Sequence, residues 1–531
     1  MMLKLLCVYP AFPKTYWGAE YSMPLIGKKA LLPPLGLLTV AALLPRDWEV
    51  RLADCNVRPL DPAELEWADV VFLSGMLIQR DPLHEIARLA RARGKIVVAG
   101  GAYASTSPDA LAPHVDCVVV GEAEDLIGEL ATGIERAVAG DRPALPARMQ
   151  SVNRPDVSKL PPPRYDLLDI PAYQSIGLQW SRGCPFNCEF CDIIEIFGRK
   201  PRTKTPAQLT AELDALYDTG FRGSVFVVDD NFIGNKVEVR RLLPEISTWM
   251  RRKGDPFDLY TEASVNLAGD DGLIDAMVEA GFSAVFLGIE TPSEEALRET
   301  QKLQNTAVDL DQGVAKLVSR GLEVMAGFIV GFDSDDAGAV ERQRIWIGRA
   351  PIPLSMVGIL IALPGTQLER RLRAEGRLLE ESNGDNFGRT NFITRLDERE
   401  LLEGYARLLA DIYSPEAFFD RAARTLELRP QVTTRFRHNL WFAAKCMVRS
   451  IVHQGIRSKY RRAYWRFLAR VIARAPLRFP RAIGLAINGE HMIRYTQEEV
   501  LPRLAQAIQL VRRAPPPRRV RTHLPVAAAS V

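Results

Sequence analysis

Cysteine is scarce in this chain, seven in 531 residues, far fewer than a disulfide-stapled scaffold of this length would need. Long apolar runs are missing as well: the longest, residues 31–45, is too short for a bilayer and is interrupted by Pro33 and Pro34. The first ten residues hold one lysine and a short apolar run, without the ordered regions of a signal peptide, so a cytoplasmic location is expected. No tandem repeat stands out, and low complexity is confined to the residues after Ala514. No G-x-G-x-x-G follows the first β-rich run, which removes the usual fingerprint of a dinucleotide site. What is present is ordinary globular material, 47% hydrophobic and 25% charged, long enough for two or three domains. The net charge of +3 conceals an asymmetry: from Gln431 onward 20 Lys/Arg face 3 Asp/Glu, leaving 48 against 62 before it.

Residues 1–140 alternate β-rich runs with helical stretches, with strands expected at Leu3–Tyr9, Glu49–Ala53, Val70–Leu73, Lys95–Ala99 and Cys117–Val120. That alternation predicts an α/β fold with a parallel, doubly wound, Rossmann-like sheet. A ligand of such a sheet sits beyond the carboxyl ends of its strands. Asp54, Asn56, Ser74, Gly75, Gly100, Gly101, Gly121 and Glu122 stand there. Glycine at a strand end admits a flat ligand to the backbone, although turn glycines look the same in sequence. Residues 141–172, with Pro161, Pro162 and Pro163, read as a stiff linker.

A second series spans 173–395, with strands expected at Ile176–Trp180, Ser224–Val228, Leu259–Thr261, Ala284–Ile289, Val324–Val330 and Met356–Ala362. Six βα units imply a partial barrel with its site at the carboxyl mouth of the strands. Residues 396–531 read as a helical, basic region. Within Ser458–Ala475, Tyr460, Tyr464, Phe467, Leu468, Val471 and Ile472 recur at helical spacing, while Arg462, Arg466, Arg470 and Arg474 form a stripe. Such a helix either packs its apolar face on the protein or lies on an anionic membrane, here the inner face of the cell membrane; RNA would also suit the arginines.

Directly after the first strand of the second series comes Cys184-Pro-Phe-Asn-Cys188-Glu-Phe-Cys191. Three thiolates on one tight loop hold three irons of a [4Fe–4S] cubane and leave the fourth to an exogenous ligand. Structural zinc would want four protein ligands, and neither a fourth cysteine nor a nearby histidine is supplied. The scattered Cys7, Cys55, Cys117 and Cys446 read as small buried hydrophobes.

The spacing Cys-x3-Cys-x2-Cys, with Phe190 before the last cysteine, resembles the signature of the radical S-adenosylmethionine (SAM) superfamily over about residues 173–395. The resemblance implies that the amino and carboxylate groups of SAM chelate the open iron and that one electron cleaves SAM to a 5′-deoxyadenosyl radical. It further implies that Asp229, Asp230 and Asn231 accept hydrogen bonds from the methionine ammonium, that Glu262 and Ser264 meet the carboxylate, and that Glu290 meets the ribose hydroxyls. Gly327 to Gly331 would form an adenine slot, with Leu363-Pro-Gly365 adding backbone groups. Each carboxylate alone reads as a helix cap or a surface residue; their shared placement after consecutive strands favours the site.

A doubly wound sheet ahead of such a core resembles the cobalamin-binding domain of cobalamin-dependent radical SAM methylases. The Asp-x-His-x-x-Gly motif of other cobalamin proteins is replaced by Asp54-Cys-Asn56-Val-Arg-Pro, so no histidine is offered there to cobalt. The phrases at 188–192, 228–235 and 288–292 are similar to the subgroup containing the hopanoid C-2 methylase, and also to a wider group. The resemblance implies methylation of an unactivated carbon in a small molecule or lipid, hopanoid-like compounds included, with cobalamin carrying the methyl group. It also implies a one-electron donor such as flavodoxin or ferredoxin. Three alternatives stay open: radical rearrangement or cyclisation without methyl transfer, RNA modification, and a cobalamin-binding regulator with a degenerate barrel. RNA methylthiotransferases normally carry a second set of cluster cysteines, which this chain lacks, and the intact triplet argues against a degenerate barrel.

Overall fold

The computed structural model describes residues 2–151, 153–430, 436 and 439–513. The first sheet contains β1 (Lys4–Tyr9), β2 (Glu49–Asp54), β3 (Val70–Ser74), β4 (Ile96–Gly100), β5 (Cys117–Val120) and β6 (Arg148–Gln150). All pairings are parallel, in the order β2-β1-β3-β4-β5-β6. Helices cover both faces, which is why the strands read as unbroken Val, Leu and Ile runs. Period-two alternation sends Leu5, Phe72, Val98 and Val119 to one apolar cluster and Leu6, Val71, Val97 and Val118 to the other. The strand order reverses between β1 and β3, which opens the crevice this topology offers a ligand. β6 falls inside the residues read as a linker; at three residues it is too short to show a periodic signal.

The second sheet begins with β7 (Ser175–Leu178), followed by a small antiparallel pair, β8 (Ser181–Arg182) and β9 (Arg202–Thr203). It continues with β10 (Gly223–Val227), β11 (Phe257–Ala263), β12 (Phe282–Glu290), β13 (Glu323–Val330) and β14 (Ser355–Ile359). The six long strands pair parallel in strict sequence order, β7 and β14 forming the two edges, as a half-barrel requires. Along β10 to β13, residues facing the helices are buried, whereas Phe226, Tyr260, Glu262, Phe286, Gly288, Met325, Gly327 and Ile329 are only half-buried. That alternation means the lumen is hollow. Its lower end is closed where Arg481 and Arg429 grip Glu323 at the start of β13, at 2.9 and 3.2 Å. Burial alone would raise the Glu323 carboxyl, but the two guanidinium groups outweigh it and hold it below its ordinary range.

Between β1 and the helix Leu35–Leu43, residues 10–34 form a strap that crosses to the C-terminal helices. Tyr16 shares a 2.6 Å hydrogen bond with Thr496, the Thr15 carbonyl lies 2.9 Å from His491 Nε2, and Ser22 Oγ donates to Ile487 O at 2.7 Å. Burial drives the His491 imidazole down to about 4, so at neutral pH it is an uncharged part of this seam. The strap returns at Ala30, which bridges to Tyr173 just ahead of β7. The three regions are therefore interlocked.

The arginine stripe is corrected by its surroundings. Tyr464, Phe467, Leu468 and Val471 of the helix Arg461–Arg474 are buried, with Phe467 stacked on Phe419 at 5.0 Å. Arg466 pairs with Glu416, Arg470 with Asp420 and Glu427, and Arg474 with Glu427. The helix Pro415–Leu428 thus supplies both the apolar cover and the acidic partners, and this face cannot also lie in lipid headgroups. Ile472 and Arg462 are left exposed. Among the described residues, no helix is long and apolar enough to cross a membrane.

Candidate active site

The cysteine loop leaves the β7 edge through Gly183, whose φ of 92° and lack of a side chain are both needed: a Cβ there would lie 2.8 Å from Gly198 O. Cys184 N then donates to Gly198 O at 3.2 Å. All three thiols are free, Cys188 buried and Cys184 and Cys191 half-buried. Asn231 Nδ2 points at Cys184 Sγ from 4.0 Å and Gln304 Nε2 at Cys188 Sγ from 3.6 Å, N–H groups of the kind that stabilise cluster sulfur. On the outer side of the loop, buried Glu189 is held by Arg371 at 2.5 Å, and Arg371 also binds Asp333 at 2.9 Å. Phe190 packs with Phe332, ring centroids 6.4 Å apart, and lies 5.8 Å from Lys302 Nζ. Among the described residues no three such side chains converge on a single ion. A cubane asks for a different arrangement, one thiolate at each of three corners of a box.

The strand-end residues divide into braces and rim. Asp229 is fully buried, and its oxygens accept from Trp180 N, Ser181 N and Ser181 Oγ at 2.7, 2.9 and 2.6 Å. It fastens the start of the cysteine loop and has little left for a ligand. Asn231 and Ser264 bind each other, with Ser264 N donating to Asn231 Oδ1 at 3.2 Å, and so tie the ends of β10 and β11. Asp230 accepts one bond from Gly183 N at 3.2 Å, yet burial, with Asp229 and Asp192 nearby, pushes its carboxyl up to about 7. Glu262 is pushed up to about 8 by burial and by Asp230, with Lys302 partly opposing. Glu290 sits at a β-bulge with a φ of 64°, unusual for a residue with a side chain, and its carboxylate is bound by Lys302 at 2.5 Å. Asp230 and Glu262 thus feel Arg182 and Lys302 but form no salt bridge among the described residues, and burial outweighs both cations. The adenine slot is split, because Gly327 opens on the lumen beside Phe286 while Gly331 packs against Leu401 of the helix Glu398–Ile412.

The first sheet presents its carboxyl edge to this loop: the helix Ala102–Thr106, following Gly101, packs against Ile193–Phe197, which follows Cys191. Several residues expected at a ligand prove to be fasteners. Glu122 is buried and accepts from Arg182 at 2.7 Å and Arg202 at 2.6 Å, so it docks the sheet on β8 and β9 beside the cysteines. Asp54 accepts from Asn56 N and Nδ2, each at 2.8 Å, and from Tyr173 OH at 2.9 Å; Asn56 Oδ1 accepts from Phe12 N at 2.8 Å. Gly75 packs toward Leu83, and Gly100 faces Val119 at ordinary contact distance. Gly101, φ 89°, passes so close to Ser74 that a Cβ would lie 2.4 Å from its Oγ. Gly121 is different: its φ is 78° and nothing lies within 4 Å of where a Cβ would be. Met76, beyond β3 and 53% exposed, also borders this open edge and carries no local sequence signal.

Residues 28–131 match the B12 binding domain, 178–342 the radical SAM superfamily, and 366–502 a domain of unknown function, DUF4070. An uncharacterized methyltransferase of Synechocystis sp. is 43% identical over 93% of this chain and 92% of its own length. The hopanoid C-2 methylase of Rhodopseudomonas palustris is 36% identical over 93% of this chain and 94% of its own. The chain belongs to the cobalamin-dependent radical SAM methyltransferases. The cobalamin-dependent SAM radical enzyme OxsB, solved with aqua-cobalamin and SAM, shares the fold at a TM-score of 0.59 and 13% identity, over 96% of this chain and 83% of that one.

The residues of this methyltransferase fit the cofactors of its family, a [4Fe–4S] cluster, SAM and cobalamin. Three free thiols with N–H donors aimed at two of them suit the cluster. The uncompensated pair Asp230 and Glu262 suits the ammonium of SAM. The open edge at Gly121 and Met76 would suit cobalamin. A leucine at Gly121 would project into that edge at a backbone cost of about 1–2 kcal/mol, which the fold can bear. Gly121→Leu is therefore expected to reduce bound cobalamin severalfold, read from absorbance per chain, with iron content unchanged. Full cobalamin loading would place the ligand elsewhere.

Proposed function

We propose that this enzyme methylates an unactivated carbon of an apolar, amphiphilic lipid whose ring skeleton lies in the barrel lumen. The lumen wall carries the reading. Phe226 and Tyr260 stack at 4.7 Å and 8°, Trp17 of the strap leans on Phe286 at 4.7 Å, and Met325, Ile329 and Met356 complete an apolar surface. Asp230, Glu262 and Glu290 stand at its upper rim, and the carboxylate at its lower end, Glu323, is taken up by Arg481 and Arg429. Such a wall binds by shape and apolar contact and leaves one end of a ligand beneath the SAM site. The name of the hopanoid C-2 methylase, similar over nearly the whole chain, supports a polycyclic lipid.

When bound, the cluster with SAM supplies one-electron cleavage chemistry, and cobalamin supplies the methyl group. The chain's own part is positional: Asp230 and Glu262 orient the SAM ammonium, the lumen aligns the reacting carbon, and the strap and C-terminal helices exclude water. No acid–base pair is needed. The enzyme requires a reductant, for which flavodoxin or ferredoxin is proposed, and an amphiphilic substrate favours peripheral association with the inner face of the cell membrane.

Anaerobically reconstituted enzyme given lipid extract is expected to form both deoxyadenosine and S-adenosylhomocysteine, and to shift one lipid by the mass of a CH2 group. Deoxyadenosine without S-adenosylhomocysteine would indicate rearrangement or cyclisation instead.

A further inference from the structure

We propose that the helix Leu440–Ser450 and its π-helical continuation Ile451–Arg457 form the surface by which this enzyme docks on an anionic bilayer. The inference rests on the peripheral association proposed above and assigns it to particular residues. Helical spacing puts Trp441, Lys445, Val448, Val452 and Ile456 on one face. Trp441 is 70% exposed, Val448 56% and Ile456 61%, three large apolar side chains in water on one face, with Lys445 between the first two. Trp465, 46% exposed, joins them, with its indole N–H donating to Gly455 O at 2.9 Å. An indole with a bonded polar edge and an exposed apolar body suits the headgroup boundary.

Charge identifies the occupant. From Leu428 to Gly489 there is no Asp or Glu, against 14 Lys and Arg. The arginines at 466, 470 and 474 are already neutralised by the helix Pro415–Leu428. Lys445, Arg457, Lys459, Arg461 and Arg462 are exposed and form no ion pair among the described residues. Exposed apolar side chains interspersed with Lys445 and followed by the cations at 457–462 match an interfacial helix on anionic lipid. A second copy meeting this face would bring like charges together, and nucleic acid would leave Val448 and Ile456 without a partner.

The placement also serves the lumen. Arg449 Nη1 lies 3.5 Å from the Pro24 and Leu25 carbonyls of the short helix Met23–Ile26 in the strap, and a Cβ at Gly27 would come within 2.9 Å of it. The same strap carries Trp17 to Phe286. A bilayer at Trp441 would therefore lie against the element that walls the lumen.

The test is co-sedimentation of the full chain with vesicles of phosphatidylcholine alone or with one third phosphatidylglycerol. Wild type is expected to bind only the anionic vesicles and to release with salt. The triple variant W441S/V448S/I456S, altered only at exposed positions, is expected to bind about tenfold more weakly. K445E/R457E/K459E should bind as weakly and lose its salt dependence, while R466Q/R474Q should match wild type. Wild-type binding with an unaffected apolar triple variant would overturn the assignment of this surface yet keep peripheral association; no wild-type binding would overturn both. Concentration-dependent dimers abolished by the triple variant would assign the face to a second copy. Retention on single-stranded RNA sensitive only to the charge variant would assign it to nucleic acid. Either result overturns the bilayer.

Discussion

Protein carrying Cys184→Ala, Cys188→Ala or Cys191→Ala is expected to lose its iron–sulfur absorption and to cleave SAM only at background, while still binding cobalamin. Each thiolate owns one corner of the cubane, so two cannot keep it from shedding iron. The fold should survive each change. Cys184 and Cys191 are half-buried, and emptying the site of the one buried sulfur, Cys188, costs about 1 kcal/mol against the roughly 5–15 kcal/mol of a typical domain. Cobalamin should stay because the edge at Gly121 and Met76 is built by the ends of β3 to β5, none of which the cysteine substitutions alter. Circular dichroism, iron content and deoxyadenosine release, measured on one preparation, separate these effects. Normal deoxyadenosine formation by any of the three would remove the cluster from this loop.

Both sheets were legible because their signals are local. A run such as Val70-Val-Phe-Leu-Ser, bounded by Asp69 and Gly75, reads as a buried strand wherever it falls, and the order of such runs dictates parallel pairing. The cysteine spacing is equally local. What sequence alone did not show depends on residues far apart in the chain. Lys302 reaches Glu290 from a turn beyond the next helix, Arg371 reaches Glu189 across 182 positions, and Trp17 meets Phe286 across most of the barrel. None of these leaves a periodic trace. Asp229 and Asp230 are adjacent and chemically identical, yet one is consumed by Trp180 and Ser181 while the other faces the rim; only the turn after β10 decides which. The arginine helix teaches the same lesson, for periodicity found its buried face apart from Ile472 but could not reveal that Phe419 and Glu427 wait on the helix Pro415–Leu428.

Glu122→Ala is expected to be among the most destabilising single substitutions away from the cysteines, costing about 3–5 kcal/mol, because it strips a buried carboxylate from two guanidinium groups. Glu122 is 6% exposed, and the Arg182 side chain it binds at 2.7 Å is 9% exposed. Arg182 keeps a second partner, Glu124, at 2.5 Å, but Arg202 would be left with the carbonyls of Pro155 and Phe197. The loss falls at the seam between the first sheet and the half-barrel, so it should appear in urea as an early, separate transition and not as a uniform shift. Since Arg182 stands two residues before Cys184, loosening it should also reduce iron retained after reconstitution. Glu122→Gln keeps one acceptor oxygen but loses the charge and turns an NH2 group toward the other guanidinium, so it should recover only part of the loss and fall between alanine and wild type. An alanine variant within about 1 kcal/mol of wild type, as an exposed pair would give, would show that the seam is held by its apolar contacts and that Glu122 is free to serve the ligand after all.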